Sequence, residues 1–304
     1  MNIELKISLL KSRLKKAYTL LKSCEVCPRK CHAKRLTGEK GICGAGFHPI
    51  VSSDNLHHGE EPPISGFRGS GTIFFTGCSL GCVFCQNYPI SHLLHGNQIT
   101  VPRLAEIMLR LQKIGAHNIN LVTPTHFTPQ IMAALLIAYK KGLKIPIVYN
   151  CGGFESLNTL KLLDGIIDIY MPDMKYSDPE MAKIYSSART YPEINKAAVK
   201  EMYRQVGDLQ IDENGIAKRG LLIRHLVLPE NIAGTKEVLR FIAEEISPNT
   251  YISLMSQYFP AYKALSIPAI NRRITHAEYE QAREYLEQFG LSRGWVQNKP
   301  LGEG

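Results

Sequence analysis

Three cysteines of the chain are spaced closely enough to bind one metal centre together. Cys78, Cys82 and Cys85 follow one another with three and then two residues between them. Three thiolates on a short loop can hold three irons of a cubane [4Fe–4S] cluster and leave the fourth iron open, as reactive metal centres require. The alternative is a structural zinc loop with a distant fourth ligand. The aromatic Phe84 before the last cysteine and the predicted strand before the loop favour the cluster.

A second set of four cysteines lies nearer the N-terminus. Cys24, Cys27, Cys31 and Cys43 are separated by two, three and eleven residues, with proline and glycines for turns around them. Four thiolates make a closed site, which suits zinc or a fully ligated cluster. We expect a second metal site here, with an auxiliary [4Fe–4S] cluster slightly favoured over zinc. Four nearby histidines are alternative ligands: His32, His48, His57 and His58.

The elements that would position these cysteines form an alternating pattern after residue 71. Short apolar runs typical of buried strands alternate with stretches of helical period, which predicts a parallel sheet of βα units. The predicted strands are Thr72–Thr76, Asn118–Val122, Ile145–Tyr149, Ile167–Met171, Leu221–Leu228 and Tyr251–Met255. The predicted helices are Arg103–Ile114, Pro129–Lys141, Ser156–Leu163, Pro192–Val206, Thr235–Glu245 and His276–Phe289.

In a parallel barrel the loops after the strands build the active site, and this rule selects candidate residues. The selected segments are Cys78 onward, Thr123–His126, Asn150–Gly153, Asp173–Lys175, Pro229 and Gln257–Tyr258. Cys151 within this set is either a small buried residue or a thiol that faces the reaction. His126 and Arg224 either face substrate or serve as a polar rim and a strand-end ion pair.

The N-terminal region has a different character. Apolar residues recur every three or four positions over about residues 2–22, which predicts an amphipathic helix packed on the body of the protein. Residues 24–68 show no clean period and are typical of a metal-binding segment or a long loop. We therefore predict two regions, 1–68 and 69–304.

Composition excludes several classes of protein. The 304 residues are 44% hydrophobic and 21% charged, as in an ordinary globular protein. No apolar run reaches the about 20 residues of a membrane span, and charged residues interrupt any signal sequence, so we expect a cytoplasmic protein without a membrane partner. In that compartment eight cysteines favour metal binding or catalysis over disulfides.

The net charge of +9 is concentrated near the N-terminus. Residues 1–40 hold eleven Lys/Arg and three Asp/Glu, a net of +8. This region could attract nucleic acid or an acidic protein, but a solvated helix face explains it more simply. A metal-stabilised nucleic-acid binder is disfavoured because the chain lacks a basic groove motif interleaved with aromatic residues.

The motif around Cys78 resembles that of the radical S-adenosylmethionine (SAM) superfamily, over about residues 70–260. The resemblance implies a partial (βα)6 barrel whose [4Fe–4S] cluster reductively cleaves SAM to a 5′-deoxyadenosyl radical that abstracts hydrogen. It also implies an oxidoreductase that receives electrons from a one-electron donor such as flavodoxin or ferredoxin. Phe84 matches the aromatic position beside the adenine. We expect Asn150 to contact the ribose, because the glycines after it let the backbone approach a ligand closely.

A closer resemblance is to pyruvate formate-lyase activating enzyme and its uncharacterised iron–sulfur homologues. It rests on Cys85-Gln86-Asn87, Asp173-Met174-Lys175 and the run from Ile223 to Pro229. It implies that Asp173 and Lys175 contact the amino-acid part of SAM, since a carboxylate suits its ammonium and a lysine suits its carboxylate. The chain departs from the activating enzymes after its second and sixth strands, where it reads Thr123-Pro124-Thr125-His126 and Ser256-Gln257-Tyr258.

Several substrates stay open at this level. The activating-enzyme resemblance names a glycyl radical enzyme as the first candidate partner. The alternative is radical modification of a peptide or small metabolite, which an auxiliary cluster would favour. A pure electron-transfer iron–sulfur protein is the rival from another class, and it would need no SAM pocket.

Overall fold

The computed structural model describes residues 2–297, and an open β-sheet of mixed direction forms its centre. The strands are β1 Ile50–His57, β2 Ser70–Phe75, β3 Asn97–Gln98, β4 Ile119–Val122, β5 Ile147–Cys151, β6 Ile169–Pro172, β7 Gln210–Ile211, β8 Ala217–Leu226, β9 Tyr251–Met255 and β10 Gly294–Val296. Their order is β10-β9-β8-β6-β5-β4-β2-β1-β3, and β7 pairs with β8 outside this path.

Helices connect most of these strands. They are α1 Ile3–Thr19, α2 Pro62–Ser65, α3 Tyr88–Ser91, α4 Val101–Lys113, α5 Thr128–Lys140, α6 Leu157–Leu163, α7 Pro179–Ser186, α8 Tyr191–Val206, α9 Thr235–Phe241 and α10 His276–Gln288. A π-helical turn at Ile242–Ile246 continues α9. Within residues 2–297, no helix is both long and apolar enough to cross a membrane.

The six predicted strands are confirmed as β2, β4, β5, β6, β8 and β9, and they pair in parallel in that order. Short strands such as β5 and β6 are buried along their whole length, which explains their continuous apolar runs. The expected α/β fold with a parallel sheet and an N-terminal helix is therefore confirmed. At one edge β10 adds a further parallel strand.

The sequence did not predict β1, which lies in the region expected to be a loop. It pairs antiparallel with β2, with an irregularity between Val51 and Ser53. Its burial is irregular because the run contains Ser52, Ser53, Asp54 and Asn55, so no alternating apolar pattern marked it. The sheet thus continues across the predicted boundary at residues 68 and 69. That division stays a prediction, and its outer ends, residue 1 and residues 298–304, lie outside the described residues.

Helix α1 packs on the body of the protein, as its apolar period predicted. Leu10 and Ala17 are fully buried, and the helix contacts α5. One lysine departs from the expected solvated face: the Lys6 ammonium lies 2.6 Å from the Asp168 carboxylate and 3.2 Å from the Tyr139 hydroxyl. This buried ion pair fixes α1 against the N-terminal end of β6.

Candidate active site

The loop that carries the first cysteine set, residues 77–87, begins two residues after β2 and is called the cluster loop below. Gly77 has φ +86°, and a Cβ at that position would lie 2.2 Å from the Cys43 carbonyl oxygen. Glycine tolerates both the φ and the contact. The loop therefore starts in direct contact with the last cysteine of the second set.

Each sulfur of the cluster loop accepts a hydrogen bond. The Ser186 hydroxyl donates to Cys82 Sγ at 3.0 Å, and the Ser91 hydroxyl donates to Cys85 Sγ at 3.1 Å. The Leu80 N–H donates to Cys78 Sγ at 3.4 Å. Donors aimed at sulfur stabilise thiolate character, and in iron–sulfur proteins they tune the reduction potential.

The cluster-loop cysteines are held in a dry environment. Burial raises the pKa of the Cys78 thiol and raises the pKa of Cys82 to about 12, while the Lys175 ammonium lowers both. Metal binding would replace the thiol protons, and the resulting thiolates would carry negative charge close to the Lys175 ammonium. Within residues 2–297, no three His, Cys, Asp or Glu side chains converge on a single-ion position. A cubane needs no such convergence, because each thiolate binds a different iron, so the donor set fits a cluster with one open iron.

Asp173 and Lys175 lie together in the loop that follows β6, at the carboxyl end of the parallel strands, as the sequence predicted. Lys175 Nζ is 2.6 Å from Asp173 Oδ2, and Arg224 Nε donates to Asp173 Oδ1 at 2.9 Å. Burial alone would raise the pKa of Asp173, but Arg224 and Lys175 hold it below its usual range. The Asp173 and Cys82 charges raise the pKa of Lys175 despite its burial. The site therefore holds two cations and one carboxylate beside the cluster-loop sulfurs.

Arg224 resolves one alternative of the sequence analysis, because it forms the strand-end ion pair and also lines the cavity. Its guanidinium lies 3.9 Å from the Glu60 carboxylate as well as beside Asp173. Burial raises the pKa of Glu60 to about 7, against the opposing charge of Arg224. Glu60 comes from the turn between β1 and α2, so the segment without a clean sequence period contacts a residue that lines the site.

A cavity connects these groups. It is lined by the three cluster-loop cysteines and by Asn150, Asp173, Lys175 and Arg224. A second cavity shares Asp173, Lys175 and Arg224 and extends to Phe84 and Gln257. The structure thus brings all seven residues predicted for the cluster and SAM to two adjoining cavities.

Phe84 belongs to a small aromatic cluster. Its buried ring packs edge-on against Tyr176 at 6.3 Å and against Tyr258 at 6.0 Å between centroids. Tyr258 lies in the segment after β9 that departs from the activating enzymes. An aromatic wall of this kind can receive a flat ring, so adenine contact stays a prediction for Phe84.

The glycines after Asn150 have different roles. Gly152 has room for a Cβ, which would lie 3.7 Å from Leu80 and 3.8 Å from Lys175. Gly153 has φ +72°, and a Cβ there would lie 2.1 Å from Asn195 Nδ2 and 2.2 Å from the Asp173 carbonyl oxygen. Glycine at position 153 is therefore required by packing inside the protein, whereas Gly152 faces the cavity.

Two side chains of α8 hold the active-site loops in place. The Tyr191 hydroxyl accepts the Lys175 N–H at 3.0 Å and lies 2.9 Å from the Gly152 carbonyl oxygen. Asn195 Nδ2 donates to the carbonyls of Gly153 and Asp173, both at 3.0 Å. Because they bond to backbone, these residues fix where the Asp173 and Lys175 side chains begin.

Cys151 and His126 are both buried. Cys151 faces the cavity wall, and burial and the nearby Glu155 carboxylate raise the pKa of its thiol. Glu155 is itself buried and accepts hydrogen bonds from Thr125 and Tyr149. His126 Nε2 donates to the Thr76 carbonyl oxygen at 2.8 Å, and burial lowers the pKa of His126 to about 4. His126 therefore belongs to the packed rim and does not line either cavity described above.

The second cysteine set is gathered in the Cys-rich segment, residues 20–49. The Cys31 thiol lies beside the Cys24 side chain, and a Gly41 Cβ would lie 3.2 Å from Cys31 Sγ and 3.5 Å from Cys43 Sγ. Burial raises the pKa of Cys27 to about 12, and Cys43 and Cys24 raise it further. The four thiols are thus neighbours, as the spacing predicted, although within residues 2–297 no three of them converge on a single-ion position. The metal itself stays a prediction.

Arg35 is fully buried beside these thiols. Its guanidinium donates to the carbonyls of Gly46 and His126 and lies 3.7 Å from Cys24 Sγ. Within residues 2–297, no carboxylate forms an ion pair with this guanidinium. A guanidinium stays charged and is costly to bury without an anion, so its surroundings fit a negatively charged tetrathiolate centre.

Arg29 links the Cys-rich segment to the cluster loop. Its guanidinium donates to the carbonyls of Ser79 at 2.8 Å and Leu80 at 3.0 Å, and to that of Ser186 at 2.9 Å. It also stacks over the Phe154 ring. One arginine therefore holds the loop of Cys78 and the residue whose hydroxyl contacts Cys82 Sγ.

Spacing and composition did not reveal the positioning residues of this site. Except for Ser91, which bonds to the nearby Cys85, they act through contacts with segments more distant in the chain. They are Arg29, Arg35, Glu60, Ser91, Ser186, Tyr191 and Asn195.

Comparison with known proteins relates the whole arrangement to one superfamily. The family model of the Radical SAM superfamily matches residues 72–242. The uncharacterized protein MJ0674 of Methanocaldococcus jannaschii is 31% identical over 94% of this chain and 80% of its own length. The uncharacterized protein MJ0808 of the same organism is 23% identical over 92% of this chain and 82% of its own length.

Solved structures resemble the fold at low sequence identity. A radical SAM methyltransferase from Sphaerobacter thermophilus aligns with a TM-score of 0.51 and 13% identity, over 75% of this chain and 66% of that one. SuiB of Streptococcus suis, bound to S-adenosylmethionine, aligns with a TM-score of 0.49 and 13% identity, over 73% of this chain and 48% of that one. The first likeness concerns the fold alone.

Proposed function

Because the chain belongs to the radical SAM superfamily, we propose that it cleaves SAM reductively and uses the resulting radical to abstract hydrogen. The observation that carries this proposal is the shared cavity. Three hydrogen-bonded thiols open onto the same space as Asp173, Lys175 and Arg224. The pure electron-transfer rival has no use for such a charged pocket.

Cys78, Cys82 and Cys85 would hold the [4Fe–4S] cluster. When bound, the cluster supplies the electron that splits the sulfonium–C5′ bond of SAM into methionine and a 5′-deoxyadenosyl radical. The three sulfur-directed hydrogen bonds and the Lys175 ammonium would favour the more negative reduced state.

The charged residues would orient the amino-acid part of SAM. Asp173 suits its ammonium, and Lys175 and Arg224 suit its carboxylate. Lys175 pairs with Asp173 and senses the charge of Cys82, so it would hold the SAM carboxylate on the side of the cluster-loop sulfurs. Phe84 would pack on the adenine, and Asn150 would contact the ribose from the cavity wall.

The cluster assignment is tested by spectroscopy of the anaerobically reconstituted protein. We expect [4Fe–4S] absorbance and, after reduction, an EPR signal that changes when SAM is added. Cys82→Ala should lose the SAM-sensitive EPR signal and the iron of this cluster, while Cys151→Ala should retain both because that thiol lies outside the set. An unchanged, SAM-sensitive EPR signal in Cys82→Ala would contradict the assignment.

We further propose a second metal centre at Cys24, Cys27, Cys31 and Cys43, with Arg35 as its counter-ion. A Zn²⁺ ion with four thiolates carries a net charge of about −2, and so does an oxidised [4Fe–4S] cluster with four thiolates. Either charge suits the buried guanidinium beside Cys24. Metal analysis of the quadruple Cys→Ser variant decides between them. Loss of about four irons identifies a cluster, loss of one zinc identifies a zinc site, and unchanged metal content contradicts the second centre.

For the substrate we propose a backbone glycine of a partner enzyme, whose Cα–H would be abstracted to store a glycyl radical. The resemblance to the activating enzymes supports this, with flavodoxin or ferredoxin as electron donor and the cytoplasm as location. The second metal centre supports the alternative, oxidation or modification of a peptide or small metabolite. The test incubates reduced protein and SAM with a glycyl radical enzyme of the same cell. A doublet EPR signal that becomes a singlet with α-deuterated glycine supports activation.

A further inference from the structure

A surface groove of about 830 Å³ touches both cysteine sets at once. Its lining includes Cys43 of the Cys-rich segment and Cys78 of the cluster loop. The two cysteines approach through backbone contact, because the Cys43 carbonyl occupies the place that a Gly77 Cβ would take. The groove adjoins the first cavity, with which it shares Cys78, Leu80, Gly81 and Ser91, but neither Asp173 nor Lys175 lines it.

The walls of this groove are firmly held. Arg29 forms one wall and is hydrogen-bonded to the cluster-loop carbonyls of Ser79 and Leu80. Leu94 forms another and lies against Gly44, where a Cβ would be 2.8 Å from its Cδ2. Contacts within the chain itself therefore hold the walls of the groove in place.

Apolar side chains stand exposed at the groove. Ile42, which directly precedes Cys43, is 72% exposed, and Leu94 is 37% exposed. Leu93 beside it is 52% exposed. Grouped exposed apolar residues of this kind mark interaction surfaces.

The charge around the groove is positive. Arg29 lines it, and the exposed Lys30 and Lys40 neighbour lining residues in the chain. The exposed Glu39 beside Lys40 offsets one of these three charges, which leaves a net of about two positive charges. A surface with an apolar centre and cationic surroundings favours an acidic protein and attracts it over a distance.

We propose that a small, acidic one-electron carrier protein docks in this groove. The inference rests on the proposed function, which requires an electron donor. In each encounter one electron leaves the reduced carrier and enters an iron–sulfur centre of this chain, with no bond made or broken and no proton moved. Docking here places the carrier beside Cys43 and Cys78, and it avoids Asp173 and Lys175, which do not line the groove.

The experiment compares two reductants of the anaerobically reconstituted full chain. Reduced flavodoxin is the protein probe, and dithionite is a small reductant that needs no docking surface. Stopped-flow absorbance gives the rate of cluster reduction by each. The variant is Ile42→Glu, which places an anion on the groove, and the matched control is Ile114→Glu at the exposed end of α4.

Ile42→Glu should slow reduction by flavodoxin about tenfold, from lost apolar contact and charge repulsion. Its reduction by dithionite and its iron content should match wild type, and Ile114→Glu should match wild type with both reductants. Wild-type reduction of Ile42→Glu by flavodoxin, or equal slowing in Ile114→Glu, would overturn the docking site. Failure of dithionite to reduce the wild-type cluster would instead overturn the proposed function, and the docking site with it.

Discussion

At the scale of single residues, the site depends on charges that are buried and matched. Asp173 stands between two cations, and its carboxylate is held ionised by Arg224 and Lys175 despite burial. In the proposed complex, this arrangement would give the carboxylate and the ammonium of SAM each a partner of opposite charge.

Asp173→Asn tests that arrangement. Replacing the carboxylate removes the partner of the SAM ammonium and leaves Lys175 and Arg224 to repel one another. We expect SAM affinity, measured by anaerobic equilibrium binding, to fall tenfold to a hundredfold, or about 1.5–3 kcal/mol. Lys175→Met should weaken binding to a similar degree.

The matched control is Asp164→Asn, which removes an exposed carboxylate paired with Arg204. It should leave SAM affinity unchanged. Wild-type affinity in both Asp173→Asn and Lys175→Met, with normal iron content, would place the SAM site elsewhere.

Ser186 tests the environment of the cluster sulfurs. Its hydroxyl donates to Cys82 Sγ and contacts the Tyr176 hydroxyl at 2.7 Å. Ser186→Ala removes a hydrogen bond that stabilises the reduced state, so redox titration should give a more negative reduction potential. Ser187→Ala, the neighbouring control, should leave the potential unchanged. An unshifted potential in Ser186→Ala would show that this contact does not tune the cluster.

Residue types and spacing were enough to predict the thiols and the charged pair. Cys78, Cys82 and Cys85 lie close in the chain, and Asp173 and Lys175 follow a strand that a continuous apolar run revealed. Ser186 and Arg29 could not be found in this way, because each acts through a contact with a distant segment. Arg35 looked like one of many basic residues, and only its complete burial distinguishes it.

At the scale of elements, the loops of the site depend on their fit to α8. Gly153 lets the turn after β5 pass between Asn195 and the Asp173 carbonyl. The helix therefore shapes the site without contributing a side chain to the cavity lining described above.

Gly153→Ala should destabilise the protein and weaken SAM binding. A positive φ costs alanine about 1–2 kcal/mol, and forcing a methyl group into packed atoms adds about 1–3 kcal/mol. Gly142→Ala is the control, since Gly142 has φ +96° with no atom within 4 Å of a Cβ. Thermal unfolding should show a clearly larger loss for Gly153→Ala. Equal losses in the two variants would mean that the contact with Asn195 is unimportant.

The docking of α1 gives a second test at this scale. Lys6→Met leaves the Asp168 carboxylate buried without its cation, which should cost about 3–5 kcal/mol of unfolding free energy. Lys11→Met, on the exposed side of the same helix, should change stability by less than about 0.5 kcal/mol. Denaturant unfolding measures both. A small loss in Lys6→Met would show that apolar packing alone holds α1.

Helices and strands with a clear apolar pattern were predictable from the sequence. A strand with polar side chains, held mainly by backbone hydrogen bonds to its neighbour, was not. Strand β9 has the predicted bounds, and helix α1 was found from its apolar face. Strand β1 is polar along its middle and is held by its bonds to β2, so its sequence gave no signal. Helix α7 was also missed, although Asp178 followed by Pro179 is a helix-start signal.

At the scale of the whole molecule, the Cys-rich segment packs directly against the loop that follows β2. The cluster loop is held from outside by Arg29, and its first glycine is packed against Cys43. A metal in the Cys-rich segment would therefore lie beside the catalytic loop, which is consistent with electrons reaching both centres from one groove.

The central claim is that Cys78, Cys82 and Cys85 hold a cluster that cleaves SAM. The most direct measurement is chromatographic detection of 5′-deoxyadenosine after the anaerobically reconstituted protein is mixed with SAM and dithionite. Wild type should form 5′-deoxyadenosine and methionine, the quadruple variant of the Cys-rich segment should keep a measurable rate with dithionite, and Cys78→Ala, Cys82→Ala and Cys85→Ala should form none. No 5′-deoxyadenosine from a wild-type protein with full iron content, or undiminished formation in any of the three variants, would contradict the account.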